Sequence, residues 1–102
     1  MLTKKLKKAW VKALRSRKYV QGVGKLRQRE DGKTKYCCLG VFCDISGIGI
    51  DRSGENVAKK SGESYVPLNK ILGDTIVTEL YTMNDSQRKS FREIADYIDK
   101  NL

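Results

Sequence analysis

Reactive chemistry in this 102-residue chain could come from only a few places. Cys37, Cys38 and Cys43 lie close together, and Lys33 and Lys35 are near enough in sequence to stabilise a thiolate, the nucleophilic form of cysteine. Against that, the thiols belong to the run Cys37-Cys38-Leu39-Gly40-Val41-Phe42-Cys43, which is nearly all apolar. Free cysteine is among the most buried residue types, so core thiols are the expectation. Asp44 and Asp85 are carboxylates near segment ends, where a pair could do acid–base work, but an Asp at a helix end usually has a structural role. The chain has no histidine. That removes the commonest general base, the usual triads and most zinc sites. The three cysteines with Asp44 also lack the paired Cys-x-x-Cys spacing of a zinc site. Gly22-Val23-Gly24 lacks the third glycine and the preceding buried strand of a dinucleotide fingerprint, and no P-loop is present. No catalytic residue, metal or cofactor is therefore expected, and the chain reads as a binding protein rather than an enzyme.

What it would bind follows from charge. The net charge is +9. Residues 1–36 hold 13 Lys or Arg against 2 Asp or Glu, whereas residues 37–102 hold 8 against 10. So localised a positive field attracts phosphates, acidic proteins or anionic lipid. Arg15, Lys18, Lys25 and Arg27 are the candidate phosphate ligands. Tyr19 and Tyr36 are candidates to stack on a base. Gln21, Asn84 and Asp85 complete the set of candidate ligand contacts.

The elements that must position these residues are legible in outline. Residues 3–17 carry Leu6, Trp10, Ala13 and Leu14 on one side of a helix with lysines around the rest, and Thr3 can cap its start. Gly22 and Gly24 break helix. Asp31-Gly32, between Lys25–Arg29 and Thr34–Tyr36, signals a turn and predicts a short basic β-hairpin. The run 37–46 fits a buried helix that stops at Gly47. Residues 47–63, with four glycines, read as a loop that could carry one side of a site. Tyr65-Val66 suggests a short strand, and Pro67 can start a helical turn through Leu72. Ile76, Val77, Leu80 and Tyr81 have helical spacing, with Asn84-Asp85 expected to break that helix. Ser90-Phe91-Arg92-Glu93 is a capping box, followed by the stripe Phe91, Ile94, Ala95, Ile98. The fold class expected is α+β: a single domain over residues 1–102, with an N-terminal amphipathic helix, a basic hairpin, a central buried helix and two C-terminal helices.

The last two helices invite a helix-turn-helix reading, but the final one carries Asp96 and Asp99 and little positive charge, unlike a major-groove reader. No run of 18 apolar residues exists, and lysines interrupt any signal-peptide core, so a soluble protein is expected. An odd number of tightly spaced cysteines reads as reduced and intracellular.

Several segments together resemble a family of small phage and prophage proteins, most without an assigned activity. They are Lys18-Tyr19-Val20-Gln21-Gly22, the block Tyr36-Cys37-Cys38-Leu39-Gly40-Val41-Phe42-Cys43-Asp44, then Tyr65-Val66-Pro67, and the tail from Leu80 through Met83-Asn84-Asp85 to Ser90-Phe91-Arg92-Glu93-Ile94-Ala95-Asp96-Tyr97-Ile98. Phe42 stands where leucine is more usual, and Arg88-Lys89 replaces a turn that is often glycine-containing. The resemblance implies a phage accessory protein in the cytoplasm of a bacterial host cell, and it hands over no catalytic residues. The function expected in that setting is antagonism of host defence through an anionic target, either a nucleotide-like immune signal or a nucleic-acid-handling defence complex. The alternatives are a nucleic-acid-binding accessory protein and a small nucleotide-acting enzyme. The partners implied are a nucleotide, a nucleic acid or a host defence protein, with homo-oligomer formation left open and no membrane.

Overall fold

Thr3 opens the first helix as expected. Its hydroxyl accepts from the Leu6 amide at 3.1 Å, and the helix α1 runs Lys4–Arg15. Its apolar stripe places Trp10, Val11 and Leu14 in the core and leaves the lysines outside. The computed structural model describes residues 2–54, 57 and 68–102.

A left-handed Arg17 (φ 63°) turns the chain into β1, Val20–Gln21. The basic hairpin follows as β2, Arg27–Glu30, and β3, Lys33–Tyr36. Asp31 and Gly32 both have positive φ (51° and 76°). A two-residue hairpin turn needs this because only the mirror-image turns match the strand twist. β1 pairs parallel with β3, giving a three-stranded sheet in the order β1-β3-β2. Two residues are too few for a periodic signal, so β1 escapes sequence reading.

The apolar cysteine run is a helix, α2, Cys38–Ser46. Cys37 stands outside it as the cap, its sulfur accepting from the Gly40 amide at 3.4 Å, and Gly47 closes it in the left-handed region (φ 79°). After an isolated bridge between Ile50 and Val57 come α3, Leu68–Leu72, α4, Asp74–Asp85, and α5, Phe91–Asn101. The strand suggested at Tyr65-Val66 lies outside the described residues, as does Pro67. Among the described residues the C-terminal part thus has three helices, the short α3 being the turn expected to end at Leu72.

One expectation is corrected. Asn84 and Asp85 do not break α4; they form its last turn, and the backbone reverses only at Arg88 (φ 51°). Asn disfavours helix by competing for nearby backbone. Here its side chain is engaged with distant partners and leaves the local helix intact. The capping box of α5 forms as read: Ser90 Oγ accepts from the Glu93 amide at 3.2 Å, and Glu93 accepts from the Ser90 amide at 3.1 Å.

The core is one cluster built from all four longer helices. Trp10 and Phe42 pack with ring centres 4.8 Å apart, and the indole N–H donates to the Cys38 carbonyl at 3.0 Å. Leu80, Ile94 and Ile98 are fully buried beside them. α1 lies along α5, where Lys7 reaches the Asp99 carbonyl and Arg15 the Asp96 carboxylate. The sheet joins this body where α2 meets the residues leading into β2. The Cys37 amide donates to the Leu26 carbonyl at 3.2 Å, and a Cβ on Gly40 would stand 1.7 Å from that same oxygen. Substituting Gly40→Ala forces helix and strand apart, because both colliding groups are backbone. Urea denaturation should show a loss of about 3 kcal/mol or more. Gly47→Ala meets open space and should lose only about 1–2 kcal/mol for its left-handed φ.

Candidate anion-binding site

Positive charge on a surface is useful to a ligand only where it is not already spent on carboxylates. Arg15 is spent. It donates to Asp96 at 2.7 Å, with Asp99 at 3.9 Å, and so ties α1 to α5. Lys35 pairs with Glu30 at 3.7 Å, and Lys89 with Glu93 at 3.9 Å. Lys25, Arg27, Arg29 and Arg52 pair with no carboxylate among the described residues.

Those four cations line one groove of about 630 Å³ on the side of the hairpin. Arg27 and Arg29 project from β2. Arg52 comes from the glycine-rich segment, which is held to the strand by the Arg27 amide donating to the Gly54 carbonyl at 3.1 Å. Gly54 has φ 76°, and a Cβ there would stand 1.8 Å from the Arg27 carbonyl oxygen, so only glycine permits the approach. Tyr36 borders the groove. The one carboxylate present, Glu30, is the partner of Lys35.

A second groove of about 800 Å³ runs between the end of α1 and the start of α5, bordered by Arg15, Arg17, Tyr19, Gln21 and Arg92. Its acid, Asp96, already holds Arg15. The hairpin groove therefore presents the stronger unspent positive field.

The candidate residues read from sequence fall into separate places. Lys25, Arg27 and Tyr36 share the hairpin groove; Arg15, Tyr19 and Gln21 border the second one. Lys18 is exposed between α1 and β1. Tyr19 and Tyr36 do not form an open stacking platform, for they meet edge to face with ring centres 5.2 Å apart. The Tyr19 hydroxyl donates to Asp44, and that bond pushes its pKa up to about 12. Arg52, Arg17 and Arg92 were not marked by sequence; an isolated arginine in a loop carries no pattern.

Asn84 and Gln21 are structural. Asn84 is fully buried, and all its polar atoms are in use. Its Oδ1 accepts from Gln21 Nε2 at 3.0 Å and from the Cys38 amide at 3.2 Å. Its Nδ2 donates to the Gly22 carbonyl at 2.9 Å and to Asp85 Oδ1 at 2.8 Å. Gln21 also donates to the Lys89 carbonyl at 2.7 Å. One amide thus holds β1, α2 and α4 together.

Asp85 and Lys25, by contrast, line a cavity of about 400 Å³ between residues 24–26, the start of α2, α3 and α4. Cys37 also borders it. Burial pushes the Cys37 thiol up to about 11 and the Cys43 thiol up to about 12, and raises Cys38 well above its ordinary value. All three are held as neutral thiols. Among the described residues no three Cys, Asp or Glu side chains converge as a metal centre requires, and no helix is long and apolar enough to cross a membrane.

A family model, DUF8296, a domain of unknown function, matches residues 2–69. The chain belongs to the DUF8296 family. No curated protein and no solved structure matches it. The DUF8296 match takes in every cation of the hairpin groove, while Asn84 and Asp85 lie beyond it.

Two stability predictions follow from these contacts. Asn84→Ala strands the Cys38 N–H and the Gly22 carbonyl, each buried polar loss being worth about 1–3 kcal/mol, so chemical denaturation should show a drop of at least about 3 kcal/mol. The thiols give a pH dependence. Their folded pKa values exceed the unfolded value of 9.0, so the unfolded chain releases its protons first. Stability should hold below pH 9 and fall above it, by up to about 1.4 kcal/mol per pH unit for each thiol. Urea titrations between neutral and alkaline pH, with a Cys43→Ala variant as comparison, measure this.

Proposed function

We propose that the protein is a non-enzymatic binding protein for a phosphate-bearing anion, held in the hairpin groove. The observation that carries this reading is the set of four cations, Lys25, Arg27, Arg29 and Arg52, gathered in one groove without a carboxylate partner among the described residues. Arginine donates in a planar fork that matches phosphate oxygens, which favours phosphate over a simple carboxylate. The non-enzymatic part is supported by the thiols, which burial keeps protonated and therefore poor nucleophiles. The phage resemblance of the Cys-Cys-Leu-Gly-Val block and the Asn-Asp…Ser-Phe tail adds a setting. The protein acts in the cytoplasm of a bacterial host and antagonises defence by occupying a nucleotide-like signal or a nucleic-acid-handling complex.

Binding of fluorescent nucleotides and of a short single-stranded oligonucleotide tests the site. Affinity should weaken as salt rises, with a log–log slope near −0.7 for each phosphate neutralised on a single strand. Arg27→Glu together with Arg52→Glu should weaken binding at least about tenfold. Unchanged binding in that pair would remove the hairpin groove; loss through Arg17→Glu and Arg92→Glu instead would move the site to the second groove. The setting is tested separately by phage plating on hosts that carry nucleotide-signalling defence. Failure to restore plating in any such host would discard the antagonist role while leaving the ligand site standing.

A further inference from the structure

The hairpin groove has a neighbour at Lys25. Lys25 also lines the cavity of about 400 Å³, and the two hollows share that residue. Next to Lys25 in the chain, Leu26 lines the cavity and Arg27, the first residue of β2, lines the groove. The cavity differs sharply in character from the groove. Leu26, Leu39 and Val77 supply apolar wall, and Tyr81, 58% exposed, stands at its edge. Two carboxylates line it: exposed Asp74, which accepts from Asn69 Nδ2 at 2.9 Å, and half-buried Asp85, one oxygen of which accepts from Asn84 Nδ2 at 2.8 Å. No cation pairs with Asp85 among the described residues. A carboxylate only accepts hydrogen bonds, and its two oxygens together offer about four positions, so it has capacity for further N–H donors.

From this juxtaposition we infer that cavity and groove form one site for a guanine nucleotide, with the base in the cavity donating to Asp85 and the phosphates lying past Lys25 on Arg27 and Arg52. This rests on the phosphate reading of the groove and adds the part of the ligand that the groove leaves unspecified. The volume lies within the roughly 300–1,000 Å³ of small-molecule sites. Apolar walls with one exposed aromatic suit a flat heterocycle. Asp85, the more buried of the two carboxylates, decides between bases. Guanine offers two adjacent N–H donors on one edge, as the guanidinium fork does, and a carboxylate accepts both. Adenine sets a ring acceptor beside its amine, and that acceptor faces the carboxylate unfavourably.

Calorimetric titration with GMP, AMP and inorganic phosphate is the test. GMP should bind about tenfold or more tightly than AMP and more tightly than phosphate. Asp85→Asn keeps an acceptor for Asn84 but loses the carboxylate, and should erase the GMP preference while leaving phosphate binding in place. Thr78→Trp fills the cavity from the exposed side of α4 and should reduce GMP to the affinity of phosphate. On the wild-type protein, amide shifts on adding GMP should include Leu39, Val77 and Tyr81 as well as Arg27, which needs no variant to fold. Equal affinity for GMP, AMP and phosphate, or shifts confined to the hairpin, would overturn the inference and leave the anion groove intact. Binding of all three untouched by the Arg27→Glu, Arg52→Glu pair would instead strike the groove itself.

Discussion

A single buried amide governs how the parts of this small domain meet. Asn84 uses both lone pairs of its oxygen and both hydrogens of its nitrogen on Gln21, Cys38, Gly22 and Asp85. Those partners sit on β1, at the start of α2, in the chain after β1, and within α4 itself. In a low-dielectric interior such a network is strong when complete and costly when any member is missing. It therefore sets the position of β1 against α2 to within a hydrogen-bond length. Because β3 pairs with β1 and β2 with β3, the whole hairpin inherits that placement.

The second constraint is steric. Gly40 lets the α2 backbone touch Leu26, just before β2, and Gly54 lets the segment carrying Arg52 touch β2 at Arg27. Two successive residues at the entry to β2 thus receive two different backbones at close range. One contact fixes the wall of the cavity and the other brings Arg52 beside Arg27. Charge is then divided by use. Arg15, on the helix side, is consumed in holding α1 to α5, while Lys25, Arg27, Arg29 and Arg52 on the hairpin side have no carboxylate partner among the described residues.

Most helices were legible because their signals are local. Thr3, the Ser90–Glu93 box and Gly47 each mark an end through a side chain or a backbone angle that the residue type itself favours. The Asp31-Gly32 turn was legible for the same reason. What could not be read were features set by distant partners. β1 exists because β3 lies beside it. Asn84 reads as a helix breaker until its four partners are known. The candidate contacts Arg15, Gln21 and Asn84 looked available because sequence shows a residue's chemistry but not what it is already bonded to. Arg52 was missed for the converse reason: its relevance comes only from the Arg27–Gly54 contact.

The contact between α1 and α5 has a further consequence for biosynthesis. Arg15 and Asp96 are 81 residues apart in sequence. During translation at roughly 5–20 residues per second, α1 waits several seconds for its partner. Trp10 can meet Phe42 and Cys38 of α2 much earlier, so the part of the stripe that faces α5 is what waits, and loop closure over such a span is the slow kind of contact to make. The lysines around the stripe give α1 a like-charged face that disfavours its pairing with a second copy of itself before α5 arrives.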